Sequence, residues 1–279
     1  MNETEYRWTT RDNVRLYAKS WEPDSTPNGV INLVHGVGEH INRYHLWSEA
    51  FVNEGYAVLG FDHRGHGQSE GKRGDITSFD SFFDDLDLLL QQSESIFPET
   101  PTILYGHSLG GNIVINYALR GRKKPQCVIA TSPWLRLALE PPQIQLKIGK
   151  FMKNILPGLV QRNNIDSKDL SHKPETSGEY EKDPLIHDKI SLRLFFGAIN
   201  SGLWAIENAD KLNIPLLLMH GSSDKITSHL ASNEFAGKAK QFTTLKIWEG
   251  LYHELHNETE KDKVFQFLIN WIRIYLEDA

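Results

Sequence analysis

Thr102-Ile103-Leu104-Tyr105-Gly106-His107-Ser108-Leu109-Gly110-Gly111-Asn112-Ile113-Val114-Ile115-Asn116-Tyr117-Ala118 is the stretch on which the reading of this chain turns. It opens as a short apolar run of strand type and closes as a helix, with Gly106-His107-Ser108-Leu109-Gly110 between. A G-x-S-x-G pattern alone says little, because a chain of this length shows one by chance roughly one time in ten. Between a strand and a helix it says more. A serine on so sharp a turn has its Oγ pushed out above the edge of a sheet, and the flanking glycines are needed where the neighbouring backbone comes close. Ser108 is therefore the candidate nucleophile.

Outward from this turn the pattern repeats. A hairpin is expected first, with strands at 5–10 and 14–21 around Arg11-Asp12-Asn13. Apolar runs follow at 30–35, 56–62, 102–105, 127–131, 215–220 and 244–248, rich in Val, Ile and Leu and without clean alternation, as buried parallel strands require. Helical spacing marks 44–54, 78–96, 110–121, 230–240 and 260–276, with Ser78 as an N-cap and Pro98 beyond the end of its helix. Strand and helix in alternation predict a doubly wound α/β sheet. The rhythm breaks once, over about eighty residues after the run at 127–131. A structureless loop of that length is improbable, so an inserted helical cap is expected at 133–202, with the core divided into 1–132 and 203–279.

Composition narrows the function classes. At 279 residues the chain suits one large domain with an insertion, or two small ones. A net charge of −6 and the lack of any basic tract argue against nucleic-acid binding. The first residues have no basic or apolar region of a signal peptide, and no run approaches the ~18 apolar residues of a membrane span. The single cysteine, Cys127, cannot form an intrachain disulfide and suits a reducing compartment. A cytoplasmic protein is expected, with peripheral membrane contact open; oligomeric state is not legible.

A serine hydroxyl needs a base within hydrogen-bond reach, and the base needs an orienting carboxylate. In a sheet of this topology both follow the serine, acid before histidine, on loops after later strands. Asp224, in Gly221-Ser222-Ser223-Asp224 just past the run at 215–220, sits at the edge where open α/β sheets bind ligands; the alternative is a turn or N-cap aspartate. Asp210 falls at the wrong edge. Of the late histidines, His253 is best placed after the last strand, His256 is the alternative, and His229 lies only five residues beyond Asp224. His253-Glu254-Leu255-His256 has i,i+3 rather than i,i+4 spacing and does not fit a zinc helix. Acyl transfer also needs donors for an oxyanion. The N–H of Leu109 is one, and Val37, in His35-Gly36-Val37-Gly38, supplies the second unless that turn is only structural. The polar stretch 61–71 lacks a phosphate-loop pattern and is read as a hydrogen-bonded brace under the site.

Taken together, the elbow, His35-Gly36-Val37-Gly38-Glu39-His40, Asp62-His63-Arg64-Gly65-His66-Gly67-Gln68-Ser69-Glu70-Gly71, Lys182-Asp183-Pro184-Leu185 and Glu249-Gly250-Leu251-Tyr252-His253-Glu254-Leu255-His256 resemble the monoacylglycerol lipase and lysophospholipase branch of the α/β hydrolases, from about residue 6 to the end. The resemblance implies an eight-stranded, mostly parallel sheet with helices on both faces and a helical cap. It implies a triad of Ser108, Asp224 and His253, an oxyanion hole at Val37 and Leu109, and a pocket for glycerol or another alcohol lined by Glu39, Arg43 and His256. It implies neither metal nor organic cofactor. The expected substrate is a monoacylglycerol-like single-chain lipid ester. The alternatives are a lysophospholipase or generalist short-chain carboxylesterase, and, from another class, a non-catalytic lipid-binding protein of the same fold.

The cap adds a signal of its own. Ile144, Ile148, Phe151, Met152, Ile155 and Leu159 share a helical face, and residues 133–165 hold five basic side chains against one acid. Such a face either rests on an anionic lipid surface or packs down on the core. In both cases Ile148 and Phe151 are expected to line an apolar approach to Ser108.

Overall fold

Strands covered on both faces must be apolar on both, and the short Val-, Ile- and Leu-rich runs meet that demand. The structure, a computed structural model, describes residues 1–277. In chain order the elements are β1 (Asn2–Thr9), β2 (Arg15–Glu22), β3 (Val30–Val34), α1 (His45–Asn53), β4 (Ala57–Phe61), α2 (Ser81–Ile96), β5 (Thr102–His107), α3 (Leu109–Leu119), β6 (Cys127–Thr131), α4 (Gln143–Ile155), β7 (Val160–Arg162), α5 (Pro174–Lys182), β8 (Lys189–Ser191), α6 (Leu192–Glu207), β9 (Leu216–Gly221), α7 (His229–Lys238), β10 (Thr243–Trp248) and α8 (Lys261–Glu277). Eight strands form one sheet in the order β1-β2-β4-β3-β5-β6-β9-β10. β1 and β2 run antiparallel to each other, as do β2 and β4, and every other pairing in the sheet is parallel.

Alternation along each strand divides the core. Leu104, Val128, Leu216 and Leu218 face a layer built from α2, α3, α6 and α7. Ile103, Tyr105, Ile129 and Leu217 face α1 and α8 on the other side. Each such buried Val, Leu or Ile contributes about 1.5–3 kcal/mol. Asn112 and Asn116 are the polar exceptions on α3. Their amides donate to the Ala198 and Ser201 carbonyls of α6 at 3.0 and 3.1 Å, which locks the two helices together. Among the described residues no helix is long and apolar enough to cross a membrane.

Two expectations about boundaries change. Ser78 does not cap α2. Its Oγ accepts from the Asp80 N–H and its carbonyl from the Ser81 N–H, so it organises the turn before the helix, which begins at Ser81. The expected cap boundary at residue 202 falls inside α6, a continuous helix whose inner face packs on α3. The segment between β6 and α6 carries α4, α5 and the β7–β8 pair.

The site follows from topology. The chain leaves β3 for β4 on one side and then crosses to β5 on the other. The crevice at this switch point, outside the carboxyl ends of β3 and β5, is where open α/β sheets receive ligands.

Candidate active site

Ser108 stands between β5 and α3 with φ 54° and ψ −113°, a conformation that L side chains rarely adopt and that costs on the order of 1–3 kcal/mol. Its surroundings hold it there. The Ser108 N–H donates to the Thr131 carbonyl at 3.0 Å, and the Ser108 carbonyl accepts from Trp134 at 2.9 Å and Asn112 at 3.0 Å. A β-carbon on Gly106 would overlap the Gly110 carbonyl, and one on Gly110 would overlap the Val34 carbonyl, so only glycine lets the turn close against β3.

Asp224 and His253 come together from loops after β9 and β10, with His253 Nδ1 2.7 Å from Asp224 Oδ2. Nδ1 is thereby committed to the carboxylate, and Nε2 is the ring nitrogen left to take a proton. Burial opposes the charge on Asp224, but the charge of His253 and the hydrogen bonds from His220 and His253 outweigh it and hold the carboxyl well below its usual range. Burial likewise works against a charged His253, and the Asp224 charge and hydrogen bond overcome it, raising His253 above the ordinary histidine value. The Ser132 hydroxyl donates to the His253 carbonyl at 2.7 Å and fixes the loop.

The loop after β3 lies against the serine, with Gly36 so close that an added β-carbon would sit 3.2 Å from Ser108 Cβ. Among the described residues the N–H groups of Val37 and Leu109 find no acceptor. That leaves two amides free near Ser108, one of them at the start of α3 where the helix dipole adds positive potential. The stretch after β4 braces this loop from below. The His63 N–H donates to His35 Nε2 at 2.9 Å, and Asp62 accepts from the Ile41 and Gln68 N–H groups at 2.8 and 2.7 Å. Burial keeps His35, His63 and His66 neutral, so they act as hydrogen-bonding rings rather than charges.

A cavity of about 520 Å³ opens above Ser108 and Val37. Trp134, Leu137, Leu146, Phe195, Phe196 and Ile226 are among its apolar lining, and Asn163, Asn164, Asp166 and Lys225 among its polar lining.

Five residues expected in the pocket are placed elsewhere. Ile148 and Phe151 do not line the cavity; they are 59% and 65% exposed on α4, which turns Gln145, Leu146 and Gly149 inward instead. Helical period identified the apolar face of α4 but could not say which way it points. Glu39 and His256 are buried, Arg43 is nearly so, and none of the three lines the cavity. Arg43 bridges Glu39 at 2.5 Å and Glu254 at 2.7 and 2.9 Å, so it is committed to both carboxylates. His256 stacks on Tyr44 with ring centres 4.7 Å apart, and burial pushes it down to about 4, leaving it neutral. Glu254, between His253 and Leu255, serves Arg43, which is the use the His253-Glu254-Leu255-His256 tetrapeptide finds.

Sequence reasoning passed over Glu254, Ser132, Thr227 and His220. His220 and Thr227 had a local signal, being four residues before and three residues after Asp224, to which both are held. Ser132 and Glu254 are instead recruited across 121 and 211 residues, a separation that no spacing argument spans.

A mostly parallel sheet with a strained serine turn at its switch point and an aspartate–histidine pair beside it defines the class of the α/β hydrolases. Within that class the family described as Hydrolase_4, serine aminopeptidase S33, matches residues 25–260, and the chain belongs to it. It is 32% identical over 265 residues to the monoacylglycerol lipase of Mycolicibacterium smegmatis, covering 94% of each chain. It is 33% identical over 273 residues to an uncharacterized abhydrolase domain-containing protein of Dictyostelium discoideum, of which it spans 29% and which covers 97% of this chain. The crystal structure of the Paleococcus ferrophilus monoacylglycerol lipase superposes with a TM-score of 0.85 at 31% identity, over 95% of this chain and 99% of that one.

Proposed function

We propose that this protein is a serine esterase that hydrolyses monoacylglycerols and related single-chain lipid esters through an acyl-enzyme at Ser108. The observation that carries the proposal is Ser108 on its strained turn at the floor of an apolar-walled cavity, with the His253–Asp224 pair built at the same sheet edge. Family membership and the relatives named monoacylglycerol lipase support the substrate class.

In this mechanism His253 Nε2 removes the Ser108 proton as Oγ attacks the ester carbonyl, and the N–H groups of Val37 and Leu109 receive the oxyanion. His253, now charged and held by Asp224, protonates the departing alcohol. Water repeats the sequence against the acyl-enzyme. The acyl chain lies along Trp134, Leu137, Leu146 and Phe196, where each buried CH₂ contributes about 0.8 kcal/mol.

The cap has a second part in this proposal. Leu139, Ile144, Ile148, Phe151, Ile155 and Leu156 are all exposed around α4, and Lys147, Lys150 and Lys153 share that helix. Such a surface suits peripheral contact with anionic lipid, which would present the cavity to a substrate held in a bilayer.

The test is hydrolysis of a monoacylglycerol chain-length series beside lysophosphatidylcholine and a p-nitrophenyl ester, with fluorophosphonate labelling of the serine. Ser108→Ala is expected to abolish labelling and lower turnover by on the order of 10⁴- to 10⁶-fold. More than a few per cent residual activity in that variant would reject Ser108 as nucleophile. Preference for lysophosphatidylcholine over every monoacylglycerol would reject monoacylglycerols as the main substrates in favour of a lysophospholipase.

A further inference from the structure

His220, the penultimate residue of β9, is fully buried beside the proposed triad, and the mechanism above does not use it. Its Nε2 lies 3.0 Å from Asp224 Oδ2, the same oxygen that His253 Nδ1 reaches at 2.7 Å and Thr227 Oγ1 at 2.9 Å. Its Nδ1 lies 2.8 Å from Ser232 Oγ on α7. Facing a carboxylate on one side and a hydroxyl on the other, the ring must carry its proton on Nε2 and accept from Ser232 at Nδ1. The other carboxylate oxygen is held differently. Asp224 Oδ1 accepts from the Ile226 and Thr227 N–H groups at 2.7 and 3.0 Å, within its own turn. Local backbone thus anchors Oδ1, while the direction and charge of Oδ2 depend on side chains.

We propose that His220 is a positioning residue for the triad: its Nε2–H fixes Asp224 Oδ2 and takes a share of that oxygen's charge, so that His253 receives only the remainder. The proposal rests on the reading of Ser108, Asp224 and His253 given above. A carboxylate that spreads its charge over several donors is a weaker partner for any one of them. Removing a neutral donor concentrates the charge on His253, and the imidazolium then persists to higher pH. His253 works as a base only when neutral, so the acid limb of the rate profile must move up.

Other groups face His253 without passing through position 220. His107 comes from β5, with its ring centre 4.8 Å away; Glu254 and His256 lie on the histidine's own loop, and Glu39 and Arg43 follow β3. Burial keeps His107 and His256 neutral, and Arg43 pairs both glutamates. Facing His220 itself are Asp224, His253 and, from α7, His229, its ring centre 6.4 Å distant. A shift in the limb on substituting His220 therefore reports the path through Asp224.

The experiment compares wild type, His220→Phe and His220→Gln, following kcat/KM for a soluble p-nitrophenyl ester and the rate of fluorophosphonate labelling from pH 5 to 9. His220→Phe fills the space without a donor, and is expected to raise the acid limb by about one pH unit, hence about a tenfold loss well below the limb and a much smaller one at pH 9. His220→Gln, which can place an amide N–H near Nε2, is expected to keep the wild-type limb. An unmoved or lowered limb in folded His220→Phe overturns the proposal, as does a uniform loss at every pH. If His220→Phe does not fold, Ser232→Ala takes its place. It strips the ring of its Nδ1 partner and weakens the donor, so a smaller upward shift supports the proposal and no shift overturns it. Wild type that is not labelled at Ser108 would instead refute the underlying reading, while a labelled, titrating wild type with an unmoved His220→Phe limb refutes only the role of His220.

Discussion

Arg43→Met is the perturbation that most directly tests the electrostatics under the site. The Arg43, Glu39 and Glu254 side chains are 9%, 4% and 2% exposed, and three short bonds tie the guanidinium to both carboxylates. Removing the cation strands two buried negative charges, and breaking a buried pair in this way costs about 3–5 kcal/mol. The pH dependence then follows. In wild type burial works against the Glu254 charge, but Arg43 overcomes it and holds the carboxyl below its usual range. That contribution is complete above the unfolded value of about 4.3 and is lost only as pH falls further, through the folded value. In the variant burial acts on Glu254 without the opposing cation and raises its carboxyl. The Glu254 penalty is then largest at alkaline pH and shrinks as pH falls toward about 4.3, by up to about 1.4 kcal/mol per pH unit. Urea denaturation followed by tryptophan fluorescence at pH 8, 6.5 and 5 is the assay, and the gap between variant and wild type should narrow steadily. Activity should fall as well, because Glu254 is the neighbour of His253 and Glu39 accepts the Gly36 N–H at 2.6 Å. A loss under about 1 kcal/mol at pH 8, or a gap that stays constant down to pH 5, refutes the reasoning.

Two further outcomes are expected. Ile148→Asp combined with Phe151→Asp, at exposed positions away from the cavity, should leave hydrolysis of a soluble short ester within about twofold while lowering sedimentation with anionic vesicles more than tenfold, since each buried apolar side chain is worth about 1.5–3 kcal/mol. Equal losses on soluble and vesicle-borne substrates would remove the case for a lipid-facing α4. Gly110→Ala forces a methyl group onto the Val34 carbonyl and within 2.7 Å of the His35 carbonyl oxygen; it should destabilise the fold by about 1–3 kcal/mol and slow fluorophosphonate labelling. Unchanged melting and labelling would show that the turn has more room than its geometry allows.

Much of this protein is legible from local chemistry alone. The alternation of short apolar runs with helical spacing specifies a doubly wound α/β sheet, because strand and helix periods are properties of the nearest ten residues. Ser108 stands out for the same reason: strand, glycine, serine, glycine and helix are contiguous. Asp224 and His253 can be nominated because each follows a strand at the ligand-binding edge, and their order along the chain suffices for that. Tertiary structure alone decided the rest. It drew Arg43 and Glu254 together across 211 residues, closed Glu39 and His256 away from the cavity, and turned Ile148 and Phe151 to the outside while Leu146 and Gly149 went in. It ran α6 unbroken through the expected domain boundary and placed His220 on the Asp224 carboxylate. The physical reason is one of range. Turn chemistry and periodicity act through neighbouring residues and leave a trace in the order of the amino acids. Burial, ion pairing and the direction an amphipathic face points depend on which distant surface arrives opposite, and that is settled only when the whole chain has packed.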